Sequence, residues 1–468
     1  MKILLVTGES LPYAKSGGLG DFIYSYGKAL AKLGEDVSVI MPLYLPMRTK
    51  FPEIMEGFYD QFDFKMSWRT QGCGVFMVER DGIKFYFTAM DRFDRDQLYG
   101  YGDDTERFAC FVMAVNTFIT RHNDYDVVHC NDWQTAMLPL LLSYNPKPIK
   151  TVLTIHNPAY QGWAKRDDLG AYFNLSTGYY DSGFVRLGDS FNYLKAGIMS
   201  ADKINTVSVT HAQELLNDHT GFGGIGAIID WCRHYDFSGL VNGLDTDIWD
   251  PKTDTHIVCN YDLATVKEGK KKNKRAIFEQ LGMDPDFDGP LFSAITRLSA
   301  QKGVERIIDI MPHLEEKNAK MIVIGTGEME EQFQAEAFKY KNVYLVKRYD
   351  EELAHLLYAA SDFFLMPSYF EPCGTSQLIS MRYGTLPIVS NVGGLNDTVF
   401  DVSKGEEANG FTFYNNDYFG CLNAYFRACD LYWAKGIDRM QEVGMKGDYS
   451  WKKSAKAYLD LYHTIDWK

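Results

Sequence analysis

The chain has 468 residues, 46% hydrophobic and 24% charged, with 40 Gly and 15 Pro, which suits a soluble globular protein of two large α/β units or about three smaller ones and excludes collagen-like and disordered chains. Its 62 Asp+Glu outweigh 48 Lys+Arg, a formal charge of −14, so nucleic acid is not an expected partner and a small anion needs a local basic pocket. The eight cysteines form no CxxC pair, the N-terminal apolar run spans only residues 3–6, and no stretch reaches 18 apolar residues, so the expectation is a cytoplasmic protein with reduced thiols, no export signal and no membrane span.

In chain order, the apolar run 3–6 reads as a strand, followed by a glycine-rich loop, a helix over Ile23–Leu33 closed by Gly34, and a strand over 37–41. Aromatic, alternating pieces between 57 and 90 predict an antiparallel excursion or edge. A helix over Glu106–Ile119, a strand over 127–130, a helix over Gln134–Ser143 and a strand over 151–155 then resume the β–α alternation of a parallel sheet. The same grammar restarts after residue 290, with strands at 291–296, 320–325 and 362–367 and helices at 304–314 and 351–360. The expected organisation is therefore a Rossmann-like α/β domain over 1–243, a second over 244–450 with the hinge near Gly243, and a final helix within 451–468 that closes the second domain or crosses back to the first. Ligands of such sheets bind beyond the carboxyl ends of the strands.

The chemistry-bearing residues fall just after strands. Lys15-Ser-Gly17-Gly18-Leu-Gly-Asp21 opens the first helix, joining a cation to glycines that permit close backbone approach and to a helix N-terminus, a combination suited to phosphate; the plainer reading is a loop with a solvated lysine. Arg297 and Lys302 stand five residues apart in RLSAQKG and suit a diphosphate whose charge grows as a bond to it breaks. Glu371, in Glu-Pro-Cys373-Gly374-Thr375-Ser376-Gln, can accept sugar hydroxyls, and the amides of Gly374–Ser376 can meet a phosphate oxygen; its plainer role is to balance a helix dipole. His156 ends a strand, and Asp132-Trp133 offers a carboxylate beside a flat apolar face, or simply a helix cap with a packing Trp. The ten His are dispersed without HExxH or a Cys/His cluster, so no metal is predicted. Neither half carries a complete GxGxxG after its first strand, nor the chain a GxxxxGK[ST], which disfavours nicotinamide and nucleotide-hydrolase readings.

Over nearly its whole length the chain resembles bacterial glycogen synthases and plant starch synthases. The resemblance rests on KSGGLGD (15–21), HCNDW (129–133), HNPAYQG (156–162), KAGIMSAD (195–202), NGLDTDIWDP (242–251), RLSAQKG (297–303) and the run 370–399. It implies the GT-B architecture, two Rossmann-like doubly wound domains facing each other across a cleft, and transfer of α-glucose from ADP-glucose to the non-reducing 4-hydroxyl of an α-1,4-glucan with retention. It further implies that Lys15, Gly17 and Gly18, with Asp21 closing their motif, contact the donor's phosphate or sugar. Arg297 and Lys302 would neutralise the departing diphosphate, Glu371 would hold the glucose with Cys373, Gly374, Thr375 and Ser376 beside it, and His156 would make a polar contact that stabilises the oxocarbenium-like transition state. Tyr349 would stack on the adenine; Asp132, Asn242 and Tyr99 are candidates for sugar or acceptor contacts. No cofactor is implied, the nucleotide sugar being a substrate. Three departures from the wider pattern stand out: Ile379 where many retaining relatives have a ribose-binding Glu, Thr375-Ser376 where Leu-Thr is usual, and Tyr369 for a common Arg. UDP-glucose as donor, and a non-catalytic glucan-binding role, remain the alternatives.

Overall fold

The computed structural model describes residues 1–414 and 417–466 and divides into two units, one of Met1–Gly243 with the segment from Trp451 onward, the other of Leu244–Ser450. The first is built on a nine-stranded sheet: β1 (Lys2–Val6), β2 (Asp36–Pro42), β3 (Phe58–Met66), β4 (Arg69–Arg80), β5 (Ile83–Ala89), β6 (Val127–Asn131), β7 (Lys150–Ile155), β8 (Lys203–Thr206) and β9 (Phe237–Gly239), in the order β9-β8-β7-β6-β1-β2-β5-β4-β3. Strands β1, β6 and β7 pair in parallel and are almost wholly buried, which is why they read as unbroken apolar runs. At the other edge β3, β4 and β5 pair antiparallel, and the alternating burial of β3 matches a face left to solvent. Helix α1 (Gly18–Lys32) lays Leu19, Phe22, Ile23, Tyr26 and Leu30 on its buried face, the spacing of an amphipathic helix, and stops before Gly34, whose φ of 94° suits a residue without Cβ. It starts one turn earlier than the apolar spacing predicts, and the helix expected over 134–143 shortens to Leu138–Leu142.

The C-terminal helix, α2 (Trp451–His463), packs in the first unit. Its Tyr458 and Tyr462 enter a buried polar chain: Tyr26 and Tyr462 share a 2.6 Å hydroxyl contact, Tyr462 meets His129 Nδ1 at 2.7 Å, His129 Nε2 meets Thr154 Oγ1 at 2.6 Å, Thr154 donates to Asn205 Oδ1 at 2.8 Å, and Asn205 Nδ2 donates to the Tyr458 hydroxyl at 3.1 Å. Every member is satisfied, so the network fixes how the helix sits on β6, β7 and β8.

The second unit carries a six-stranded parallel sheet: β10 (Leu291–Ile295), β11 (Lys320–Ile324), β12 (Val343–Val346), β13 (Phe363–Met366), β14 (Leu386–Ser390) and β15 (Phe411–Phe413), in the order β12-β11-β10-β13-β14-β15. Strand order reverses beside β1 in the first unit and beside β10 in the second. Ligands of doubly wound sheets bind at such switch points.

Candidate active site

In the first unit, three loops meet at the switch point, those after β1, β6 and β7. The loop after β1 carries a residue that the sequence reading passed over: Glu9, 2% exposed, accepts hydrogen bonds from Ser16 N at 2.7 Å, Ser16 Oγ at 2.6 Å and Gly20 N at 3.2 Å. Burial raises its pKa above the usual carboxylate value, and these donors pull the other way. The amides expected to face a phosphate are thus partly taken by an internal carboxylate; an acid eight residues ahead of the glycine pair, just after the first strand, was the available signal. Lys15 is ion-paired with Asp21 at 2.6 Å, and both side chains are partly exposed. Gly17 and Gly18 are exposed, and a Cβ built on Gly18 meets no protein atom within 4 Å.

After β6, Asp132 adopts φ 56°, a left-handed conformation that Asp tolerates, and Oδ1 accepts the amides of His156 at 2.7 Å and Asn157 at 3.3 Å. Burial pushes its carboxyl up to about 7, against those two donors. His156 Nε2 lies 3.0 Å from Asn131 Oδ1, its ring sits edge-on to Phe22 at 4.5 Å, and burial pushes it down to about 3. Tyr99 has a buried hydroxyl without a hydrogen-bond partner and feels the charges of Glu9 and Asp132. These contacts gather Glu9, Lys15, Asp21, Asp132 and His156 around the ends of β1, β6 and β7. Trp133 offers no free face: it is 9% exposed and packs among Phe108, Tyr193 and the Gly162 backbone. Asn242 is not tied to the group by any hydrogen bond among the described residues, and its Oδ1 is buried without a partner.

In the second unit, the loops after β10 and β13 flank the switch point and are bridged by Lys302 Nζ and Glu371 Oε2 at 2.5 Å. Ser368 Oγ donates to the same oxygen at 3.1 Å, and Gln301 ties the loops together through Tyr369 N at 3.0 Å and Phe370 O at 3.2 Å. Arg297 points to solvent and forms no ion pair among the described residues. Thus the two cations of RLSAQKG separate in role: one is held by the acid, the other is free. Leu298 N donates to Thr326 O at 2.8 Å, which docks the GTG turn after β11 on this loop. Cys373 is buried, Gly374 has φ 71°, and Thr375 precedes the short helix Ser376–Arg382. Tyr349 is 63% exposed and interacts with Tyr358, whose hydroxyl hydrogen-bonds Ser376. Among the described residues no group of three or more His, Cys, Asp or Glu is placed to hold a metal ion.

Two family models match: one described as the starch synthase catalytic domain over residues 2–230, the other as glycosyl transferases group 1 over 276–418. The glycogen synthase of Clostridium novyi is 40% identical, covering 99% of this chain and 99% of its own; that of Bacillus anthracis is 39% identical, covering 99% and 100%. Among solved structures, the catalytic domain of starch synthase IV from Arabidopsis thaliana bound to ADP and acarbose aligns with a TM-score of 0.87 at 32% identity, over 99% of this chain and 98% of that one. The sucrose-phosphate synthase of Thermosynechococcus elongatus shares the fold, with a TM-score of 0.62 at 18% identity over 99% and 98%.

Proposed function

We propose, from the premise that this chain belongs to the glycogen synthase family of glucosyltransferases, that its donor is ADP-glucose and its acceptor the non-reducing 4-hydroxyl of an α-1,4-glucan. The observation that carries the reading is the Lys302–Glu371 contact at the switch point of the second unit, with Arg297 unpaired on the same loop. Glu371 has a second oxygen for sugar hydroxyls, while Lys302 and Arg297 supply fixed positive charge where a diphosphate gains negative charge. The ADP in the Arabidopsis starch synthase IV structure supports an adenine nucleotide, and Tyr349 presents an exposed aromatic ring on the second unit.

In this reading Lys15 exchanges Asp21 for a phosphate oxygen. The bond from the anomeric carbon to the diphosphate oxygen breaks as the bond to the acceptor oxygen forms on the same face. The acceptor's proton passes to the departing phosphate, and configuration is retained. His156 faces the sugar as a neutral group. The eight free thiols suit a reducing cytoplasm.

The test is incubation of the full chain with glycogen and labelled ADP-glucose or UDP-glucose. Polymer labelling from ADP-glucose at the higher kcat/KM supports the reading. Preference for UDP-glucose overturns the donor assignment, and glucan binding without labelling overturns the transferase assignment.

A further inference from the structure

Asn131 ends β6 with its side chain fully buried. Its amide nitrogen lies 3.2 Å from Val6 O and 3.2 Å from His129 O. Both are carbonyl oxygens and only accept, so the amide nitrogen must face them and the amide oxygen must point the other way. That oxygen lies 3.0 Å from His156 Nε2. An amide oxygen also only accepts, so this hydrogen bond requires the proton on Nε2. A neutral imidazole carries one N–H, which leaves Nδ1 as a bare lone pair. Burial keeps the ring neutral, holding it down at about 3. The ring cannot readily turn over, because Phe22 packs on it at 4.5 Å and the His156 amide is anchored on Asp132 at 2.7 Å. No described residue donates to Nδ1.

We propose that Asn131 is a positioning residue that locks His156 as the Nε2–H tautomer, so that Nδ1 accepts a hydrogen bond from a hydroxyl of the transferred sugar. The tautomer lock stands on the geometry of the first unit; the sugar contact rests on the glucosyl-transfer reading. The consequence is chemical. His156 brings no positive charge towards the anomeric carbon, where positive charge develops, and a hydroxyl donating to Nδ1 presents an electron-richer oxygen to that carbon. Histidine can accept in this way only while its partner on the far side is an acceptor, and Asn131 supplies one because β1 and β6 hold both of its N–H groups.

The experiment uses the full chain with histidine-selective isotope labelling and nitrogen NMR, the His156 signals being those lost in His156→Asn. The unmodified protein is expected to show a protonated Nε2 and a bare Nδ1 throughout the neutral range; a protonated Nδ1 or an imidazolium overturns the lock without any variant having to fold. In Asn131→Ala the signals should move to a mixture of tautomers, while kcat with ADP-glucose and glycogen falls at least about tenfold and the donor KM stays within about twofold. An unchanged tautomer in Asn131→Ala overturns the lock; a shifted tautomer with unchanged kcat overturns its role in transfer. His156→Asn, whose amide oxygen reaches the place of Nδ1, should keep more activity than His156→Gln, whose amide reaches the place of Nε2. The reverse order overturns the acceptor role. Failure to transfer glucose from any donor, with the tautomer as described, counts against the transferase reading and not against the lock.

Discussion

The two units solve the same problem, a cation beside an acid after a strand, in opposite ways. In the first unit Lys15 and Asp21 pair with side-chain exposures of 41% and 42%, and the nearby acids Glu9 and Asp132 are held by N–H and O–H donors, with no cation paired to them among the described residues. In the second, Lys302 and Glu371 pair with exposures of 19% and 8%. An exposed pair is worth about 0.2–1 kcal/mol and opens at little cost, whereas a buried one leaves an uncompensated charge when a partner is removed. The first unit therefore holds a cation that is cheaply released, and the second holds a preformed charge pair that resists rearrangement.

The largest expected effects come from dismantling the second arrangement. Lys302→Ala and Arg297→Ala should each lower kcat by about 10²- to 10³-fold, as loss of a charge that stabilises the leaving group does. They should differ in stability. Lys302→Ala strands the Glu371 carboxylate and should cost about 2 kcal/mol, roughly 4–8 °C in the melting of the second unit. Arg297→Ala removes an exposed side chain without an ion-pair partner and should leave Tm unchanged. Steady-state kinetics with calorimetry checks both, and equal Tm losses would contradict the contrast between held and free cation.

Next come the glycines. Gly393 has φ 44°, and a Cβ there would lie 2.0 Å from Glu371 O, so the fold itself requires glycine at that point. Gly18 sits at the first turn of α1, where a Cβ meets nothing within 4 Å. Gly393→Ala should unfold or strongly destabilise the second unit. Gly18→Ala should keep or slightly raise Tm, because alanine favours helix, yet lower kcat/KM about 10- to 100-fold if the donor approaches this backbone. Full activity in Gly18→Ala would remove this loop from the donor site.

The acids give a smaller and oppositely signed pair. Asp132 is pushed up to about 7 in the folded chain against about 3.9 unfolded. The folded state then binds the extra proton between these values, so the penalty of burying the charge is complete above pH 7 and gone below about pH 4. Asp132→Asn keeps the acceptor for the amides of His156 and Asn157 and removes the charge. It should therefore stabilise the first unit by about 2 kcal/mol at pH 8, with the gain vanishing towards pH 4, while activity falls. Glu371→Gln loses an ion pair and should not stabilise at any pH. Denaturant titrations across pH measure both, and a pH-independent gain in Asp132→Asn would show that the buried charge is not its cause.

Why some of this was readable in advance follows from range. Strands β1, β6, β10 and β11 are buried runs flanked by helices and announce themselves locally, and RLSAQKG and FEPCG stand at their predicted places after strands. The short strands Phe237–Gly239 and Val343–Val346 carry too little buried apolar surface to be seen. What joins residues far apart in sequence could not be read: Lys302 to Glu371 spans 69 positions and His129 to Tyr462 spans 333. Glu9 and Asn131 were missed for a related reason, since their importance lies in what their oxygens accept and not in the motif they stand in.

The smallest expected effect is none at all, in excess chelator. Diphosphate departure needs positive charge near the leaving oxygens, which in many enzymes a divalent cation supplies. Here Arg297 and Lys302, on one loop of the second unit, are offered for that work. If they suffice, kcat and the donor KM should be the same with and without chelator. In Arg297→Ala, added magnesium should then restore nothing, because the free guanidinium acts through position as well as charge. Loss of turnover in chelator, recovered by magnesium, would mean that the two cations of this loop are not enough.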